Sequence, residues 1–86
     1  KVRREYLVQV IYKQAEQPEA SLHKVLSNYC SKHKLINIKK IGENDGQLTE
    51  YSYYIILRNM NKAGLFASEL NKLEGVTKVN VFFDEV

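Results

Sequence analysis

Hydrophobic and polar positions alternate along several short stretches of this chain, a two-residue period that predicts β-strands. In Glu5–Tyr12 (EYLVQVIY) β-branched and aromatic residues dominate, and apolar residues occupy both sides of the alternation. This arrangement is typical of a central strand covered on both faces. Further strands are predicted at Leu35–Ile41, Thr49–Arg58 and Val76–Phe83.

Two other stretches repeat their apolar residues every three or four positions and predict amphipathic helices. The first helix is predicted to start near Pro18, because the missing N–H of proline suits a first helical turn. Its apolar positions are Leu22, Val25, Leu26, Tyr29, Cys30 and His33. The second is capped by Asn59 or Asn61 and ends before Gly75, where a left-handed residue is needed. Its buried stripe is Ala63, Phe66, Leu70 and Leu73.

The predicted element order is therefore β-α-β-β-α-β, with a hairpin loop at Gly42–Gly46 (GENDG). Right-handed crossovers fold this order into an α+β sandwich. Its four-stranded antiparallel sheet has the strand order 4-1-3-2, and both helices lie on one face of the sheet. The predicted core on the helix side consists of Val8, Val10, Ile36, Ile38, Tyr53, Ile55, Leu57, Val79, Val81 and Phe83.

The same alternation leaves apolar residues on the opposite side of the sheet. Because the first and third strands are central, these residues form a continuous patch on the order of a few hundred Å². One interpretation is a docking surface for a second copy or a neighbouring domain of the parent chain. The other is a monomer with one wet sheet face. The candidate interaction residues are Leu7, Ile11, Tyr54, Ile56 and Phe82.

Length and composition narrow the possible functions. The 86 residues suffice for one small domain, predicted at 5–86, with a basic linker or tail at 1–4. The net charge of +3 is too small to indicate a dedicated nucleic-acid binder. The longest strictly apolar run, Tyr53–Leu57, is far shorter than the roughly 20 residues of a membrane span. The single cysteine excludes an internal disulfide and fits a reducing compartment.

No constellation typical of catalysis or metal binding stands out. The predicted first helix places His23 and His33 nearly three turns apart, too far to share a metal ion. Cys30 falls in the apolar stripe of that helix and is expected to be a core residue. No glycine-rich phosphate loop is present. We therefore expect no enzyme activity, no cofactor and no metal.

Single-stranded RNA binding is a further alternative, because RNA-recognition domains share this element order and stack bases on sheet aromatics. The third strand offers Tyr51, Tyr53 and Tyr54, yet only Tyr54 is central on the outer side of the sheet. The basic-glycine-aromatic signature is missing. We expect no nucleic-acid partner and keep RNA as the less favoured alternative.

The junction LEGVTKVNV at Leu73–Val81, together with the element order, resembles ACT-like domains, which are ferredoxin-like regulatory modules. With its basic KVRREY start and FFDEV end, the chain is similar to the cytoplasmic C-terminal domain of MgtC/SapB-type and related multi-pass bacterial membrane proteins. The resemblance implies a non-catalytic regulatory or oligomerisation domain, such as a dimer. It also implies a place on the cytoplasmic side of the bacterial inner membrane, attached through an N-terminal segment not included in this sequence.

One departure from the family bears on ligand binding. Amino-acid-binding ACT domains resemble this chain but carry a glycine between the first strand and first helix. The matching loop, Lys13–Pro18, has none. Because this glycine is missing, binding of an amino-acid-type effector is less favoured than a regulatory or oligomerisation role, and it is kept as the alternative function.

Overall fold

A computed structural model describes residues 5–13, 19–42 and 48–82. The predictions made for 1–4, Pro18, most of the GENDG loop and Phe83 lie outside these described residues. A single 3-10 turn, Met60–Lys62, precedes the second helix. The strands and α-helices are β1 (Tyr6–Lys13), α1 (Glu19–Tyr29), β2 (Cys30–Ile41), β3 (Leu48–Leu57), α2 (Ala63–Asn71) and β4 (Val76–Phe82).

The strands form one antiparallel sheet in the order β2-β3-β1-β4. This confirms the predicted order 4-1-3-2 and the α+β class. Both helices cover the same side of the sheet, because Leu22 of α1 and Phe66 of α2 join the buried cluster that contains Val8 of the central strand. The opposite side of the sheet has no helix against it within the described part of the chain.

Alternation along β1 builds the centre of the core. Tyr6, Val8, Val10 and Tyr12 are each at most 2% exposed. Burying an apolar side chain of this size stabilises the fold by roughly 1.5–3 kcal/mol. The predicted core residues of β3 and β4 lie on the same side of the sheet. Ile55 and Leu57 are buried, and Tyr53, Val79 and Val81 are partly buried and pack against the cluster.

The predicted end of α1 was wrong. The helix ends at Tyr29, and Cys30 already pairs with Leu57 of β3. The amide of Arg58 donates a hydrogen bond of 2.9 Å to the carbonyl of Tyr29, so the last turn is bound directly to the end of β3. His33, predicted on the helix, therefore lies on β2.

Two predicted core positions on β2 were also wrong. Ile36 is 40% and Ile38 is 52% exposed. Ile36 lies where the pairing register shifts between Leu35 and Asn37, which indicates a β-bulge. Ile38 lies opposite Tyr51, on the helix side, but β2 is an edge strand and the helices do not cover this part of it.

The junction between α2 and β4 follows its prediction. Gly75 has a φ of 90°, in the left-handed region that glycine adopts without strain. Its carbonyl accepts a 2.9 Å hydrogen bond from the amide of Lys13, which connects the helix exit to the end of β1. Upstream of α2, the side chain of Asn59 caps the 3-10 turn by accepting from the amide of Asn61 at 2.9 Å.

Candidate interaction face on the sheet

We call the side of the sheet that faces away from the helices the outer face. Leu7 lies directly opposite Tyr54 of β3 and Phe82 of β4. Side chains at directly opposite positions of antiparallel strands share a side of the sheet. Since Tyr6 and Val8, the neighbours of Leu7, point into the core, Leu7, Tyr54 and Phe82 form one row across the outer face, the apolar row.

The exposed part of this row is aromatic. Tyr54 is 44% and Phe82 is 42% exposed, whereas Leu7 is half-buried. Ile56, two positions after Tyr54 on the same face, is also half-buried. Ile11 also belongs to the outer face by register, but it is only 8% exposed. Its position between Glu50 of β3 and Lys78 of β4 lets the aliphatic stems of these long side chains shield it. The accessible apolar surface therefore centres on Tyr54 and Phe82.

A second row, next to the apolar row, is entirely polar. Gln9 lies opposite Ser52 and Asn80, and Asn37 of β2 lies opposite Ser52. Ser52 is only 6% exposed, so its neighbours cover it. The outer face thus combines exposed aromatic side chains with adjacent hydrogen-bonding groups, as protein interfaces do at their core and rim.

Lysines make the β2 side of the outer face basic. Lys32, Lys34 and Lys39 lie opposite Ile56, Tyr54 and Glu50 respectively. All three lysines are exposed. Charged side chains on an edge strand oppose the addition of another strand at that edge. We therefore expect a partner to contact the face of this sheet and not the edge formed by β2.

A groove of about 530 Å³ opens beside the start of β1, between residues of β2 and β3. It is lined by residues from both sides of the sheet, with Lys32, Lys34, Tyr54 and Ile56 on the outer face, His33 and Ile55 on the helix side, and Glu5 before β1. Its volume is within the roughly 300–1,000 Å³ of small-ligand sites. Because charges of both signs border an apolar floor, the groove suits a small molecule that carries both an anionic and a cationic group.

The two histidines are neighbours in space, contrary to the prediction. The ring centroids of His23 and His33 are 5.1 Å apart, and the ring planes meet at 85°. His23 lies on α1, and His33 lies on β2 opposite Ile55, on the helix side of the sheet. The chain turns at Tyr29 and returns beside the helix, which brings together two residues that are ten positions apart in the sequence.

Burial, and secondarily the nearby His23, lower the pKa of His33 below its ordinary value of 6.5. The hydroxyl oxygen of Ser27 lies 3.4 Å from Nδ1 of His23. The sequence did hold a signal for this pairing. Lys32 and Lys34 repeat with the two-residue period of a strand, which argues against continuing the helix through His33.

Cys30 is a buried core residue, as predicted, although it belongs to β2. Burial raises the pKa of its thiol to about 11, and the charge of Arg58 opposes this only in part. The reactive thiolate is therefore scarce near neutral pH. Across 5–13, 19–42 and 48–82, no group of three or more histidine, cysteine or acidic residues is placed to hold a metal ion. None of the helices in these ranges is long and apolar enough to cross a membrane.

No protein-family model and no curated protein sequence matches this chain. Solved structures do match it. The ACT domain of a GTP pyrophosphokinase from Chlorobium tepidum superposes with a TM-score of 0.63 at 14% identity, covering 94% of this chain and 100% of that one. The C-terminal domain of the MgtC protein from Mycobacterium tuberculosis gives a TM-score of 0.62 at 20% identity, covering 96% of this chain and 89% of that one.

An uncharacterized protein from Thermotoga maritima gives a TM-score of 0.54 at 12% identity over 93% of this chain and 95% of that one. Similarity at these levels of identity concerns the fold. It confirms the resemblance to ACT-like domains, including the C-terminal domain of MgtC, that the sequence suggested. The chain has the ferredoxin-like fold of ACT domains.

Proposed function

We propose that this domain is a non-catalytic regulatory module that self-associates through its outer face, as the cytoplasmic C-terminal part of a bacterial membrane protein. The observation that carries the proposal is the apolar row, in which Tyr54 and Phe82 are each more than 40% exposed at the sheet surface. The ACT-like fold, shared with the C-terminal domain of MgtC, supports the regulatory role and the membrane context.

A second copy of the chain is the partner that best fits this row. In a two-fold dimer the same patch serves both subunits, so aromatic side chains of one copy meet apolar side chains of the other. Tyrosine and phenylalanine are enriched in interfaces because they bury large areas with few rotatable bonds. The polar row formed by Gln9, Asn37, Ser52 and Asn80 supplies hydrogen-bonding groups at the border of such a contact.

The size of the outer face limits the strength of this association. β1 has eight residues. Four strands about 4.8 Å apart, each with eight residues rising about 3.3 Å, span an area of about 500 Å². Stable complexes bury about 800 Å² on each partner, and smaller contacts are weak or transient. We therefore expect a reversible, concentration-dependent dimer rather than a permanent one.

Sedimentation equilibrium over about 10 µM to 1 mM tests the self-association. Tyr54→Lys replaces an exposed aromatic side chain of the apolar row by a charge and is expected to give a monomer throughout this range. The matched control is Leu65→Lys on α2, where an apolar side chain that is 53% exposed lies away from the outer face. A wild-type protein that is monomeric at every concentration, or a Tyr54→Lys variant that associates like the control, contradicts the proposal.

The membrane context is tested separately on the full-length gene product. Fractionation of cells is expected to place it in the inner membrane. In inverted vesicles an external protease is expected to digest this domain, whereas in spheroplasts the domain is protected. Recovery of the intact product in the supernatant after ultracentrifugation would remove this part of the proposal and leave the self-association untouched.

Binding of an amino-acid-type effector is the second candidate, and the groove beside the start of β1 favours it. Lys32 and Lys34 offer partners for a carboxylate, and Glu5 offers one for an ammonium group. A ligand that binds the folded state raises the unfolding temperature, by an amount that grows with the logarithm of its concentration relative to its Kd. A thermal-shift screen of amino acids therefore checks it, with Lys34→Met as the binding variant and Lys24→Met, on α1, as the control.

If no amino acid raises the unfolding temperature of the wild-type protein, effector binding is contradicted. The same screen with mixed-sequence oligonucleotides at low salt tests the prediction that nucleic acids are not partners, because electrostatic binding is strongest under those conditions.

A further inference from the structure

The chain has two histidines, and the fold brings both to one place from different elements. We propose that His23 of α1 and His33 of β2 form a binding site for a divalent transition-metal ion such as Ni²⁺, Cu²⁺ or Zn²⁺. The pair lies on the helix side of the sheet. His33 also lines the groove beside Lys32 and Lys34, but neither histidine belongs to the apolar row, so the proposal does not depend on self-association through that row.

The spacing of the rings fits a shared ion. A metal–nitrogen bond of about 2.0–2.1 Å puts the ion about 3.2 Å from the centroid of a coordinating imidazole. Two imidazoles at angles between about 90° and 109° around one ion then have centroids about 4.5–5.2 Å apart. The observed separation of 5.1 Å is within this interval.

Both rings have defined supports. His33 is held by the pairing of β2 with Ile55 of β3. The contact of 3.4 Å between Ser27 Oγ and Nδ1 of His23 engages that nitrogen and leaves Nε2 to face the ion. Metal-binding histidines commonly use one ring nitrogen as the ligand and the other for such a supporting contact.

The donor type indicates which metal ions the site takes. An imidazole must be neutral to bind a metal ion, so we expect the site to bind near neutral pH and to lose its ion in acid. Nitrogen donors favour Cu²⁺, Ni²⁺ and Zn²⁺, whereas Mg²⁺ and Ca²⁺ prefer oxygen ligands. The described residues provide no group of three ligands, so water completes the coordination and the affinity is modest.

Isothermal titration of the tag-free protein with NiCl₂ and with ZnCl₂ at pH 7.5 tests the site. We expect one ion per domain, and about tenfold or greater loss of affinity in His23→Asn and in His33→Asn. Lys24→Gln, one residue from His23 on α1, is the matched control and is expected to bind like the wild type. MgCl₂ at the same concentrations is expected to give no binding.

Paramagnetic broadening supplies a second readout. Substoichiometric Ni²⁺ is expected to broaden the imidazole NMR signals of both histidines before any other side chain. If His33→Asn does not fold, the exposed His23→Asn variant still decides the question. Wild-type protein that binds neither ion at about 1 mM, or histidine variants that bind as tightly as the wild type, overturn the proposal.

Discussion

Leu7 of β1 lies directly opposite Tyr54 of β3, on the side of the sheet that no described helix covers. This pairing fixes the side of every residue on the two central strands, because a shift by one position would exchange the buried and exposed sets. It puts Tyr6 and Val8 in the core and leaves Tyr54 accessible.

Replacing Gly64 by alanine is expected to stabilise the protein. Gly64 lies in the first turn of α2, and a Cβ added there would meet no atom within 4 Å. Alanine is the better helix former by up to about 1 kcal/mol. Urea unfolding followed by circular dichroism measures the change, and a decrease in the free energy of unfolding would show that this position has an unrecognised constraint.

The same substitution at Gly75 is expected to have the opposite sign. Gly75 has a φ of 90°, and an added Cβ would approach Tyr12 Cδ1 at 3.5 Å. An L-residue in the left-handed region costs roughly 1–2 kcal/mol. Gly75→Ala should therefore lower the free energy of unfolding in the same urea assay. Equal free energies of unfolding for Gly75→Ala and the wild type would contradict the assigned backbone conformation.

Tyr12→Phe is expected to leave stability unchanged or raise it by about 1 kcal/mol. The Tyr12 hydroxyl is buried and has no hydrogen-bond partner in the described part of the chain. Burial, and secondarily Tyr53 and Tyr51, raise the pKa of this phenol to about 12. Tyr6→Phe is the control, because it removes a hydrogen bond donated to the sulfur of Met60 at 3.1 Å, and it should lower the melting temperature.

Protonation of His33 is expected to destabilise the fold. The pKa of His33 is lower in the folded state than its ordinary value of 6.5, so the unfolded chain takes up its proton first as the pH falls. The free energy of unfolding should therefore be constant above about pH 7 and decrease from about pH 6.5 downward, until the folded state is protonated too. His33→Asn should flatten this part of the profile, and an unchanged slope would contradict the assignment.

The parts of the fold in which burial is strongest could be predicted from the sequence. Val8, Val10 and Ile55 alternate with polar or outer-face residues, and that period alone determined which side faces the helices. Gly75 marked the end of the second helical segment because few residues other than glycine tolerate its conformation. The outer-face position of Tyr54 and Phe82 followed from the same alternation.

The sequence was insufficient where tertiary contacts override a local pattern. Residues after Tyr29 continue a helical spacing through His33, yet pairing with β3 makes them a strand. Ile36 and Ile38 alternate like core residues, but a bulge and an edge position expose them. The proximity of His23 and His33 depends on this early strand, so it could not be predicted while both were assigned to one helix.

The most direct test of self-association through the outer face is a dilution series of methyl NMR spectra, from about 1 mM to about 50 µM. The methyl groups of Leu7 and Ile56 report on the outer face, and that of Leu65 reports on the exposed surface of α2. Self-association through the outer face predicts that the chemical shifts of the Leu7 and Ile56 methyl groups change with concentration and that those of Leu65 stay constant. Shifts confined to Leu65, or no change at any of the three, would contradict it.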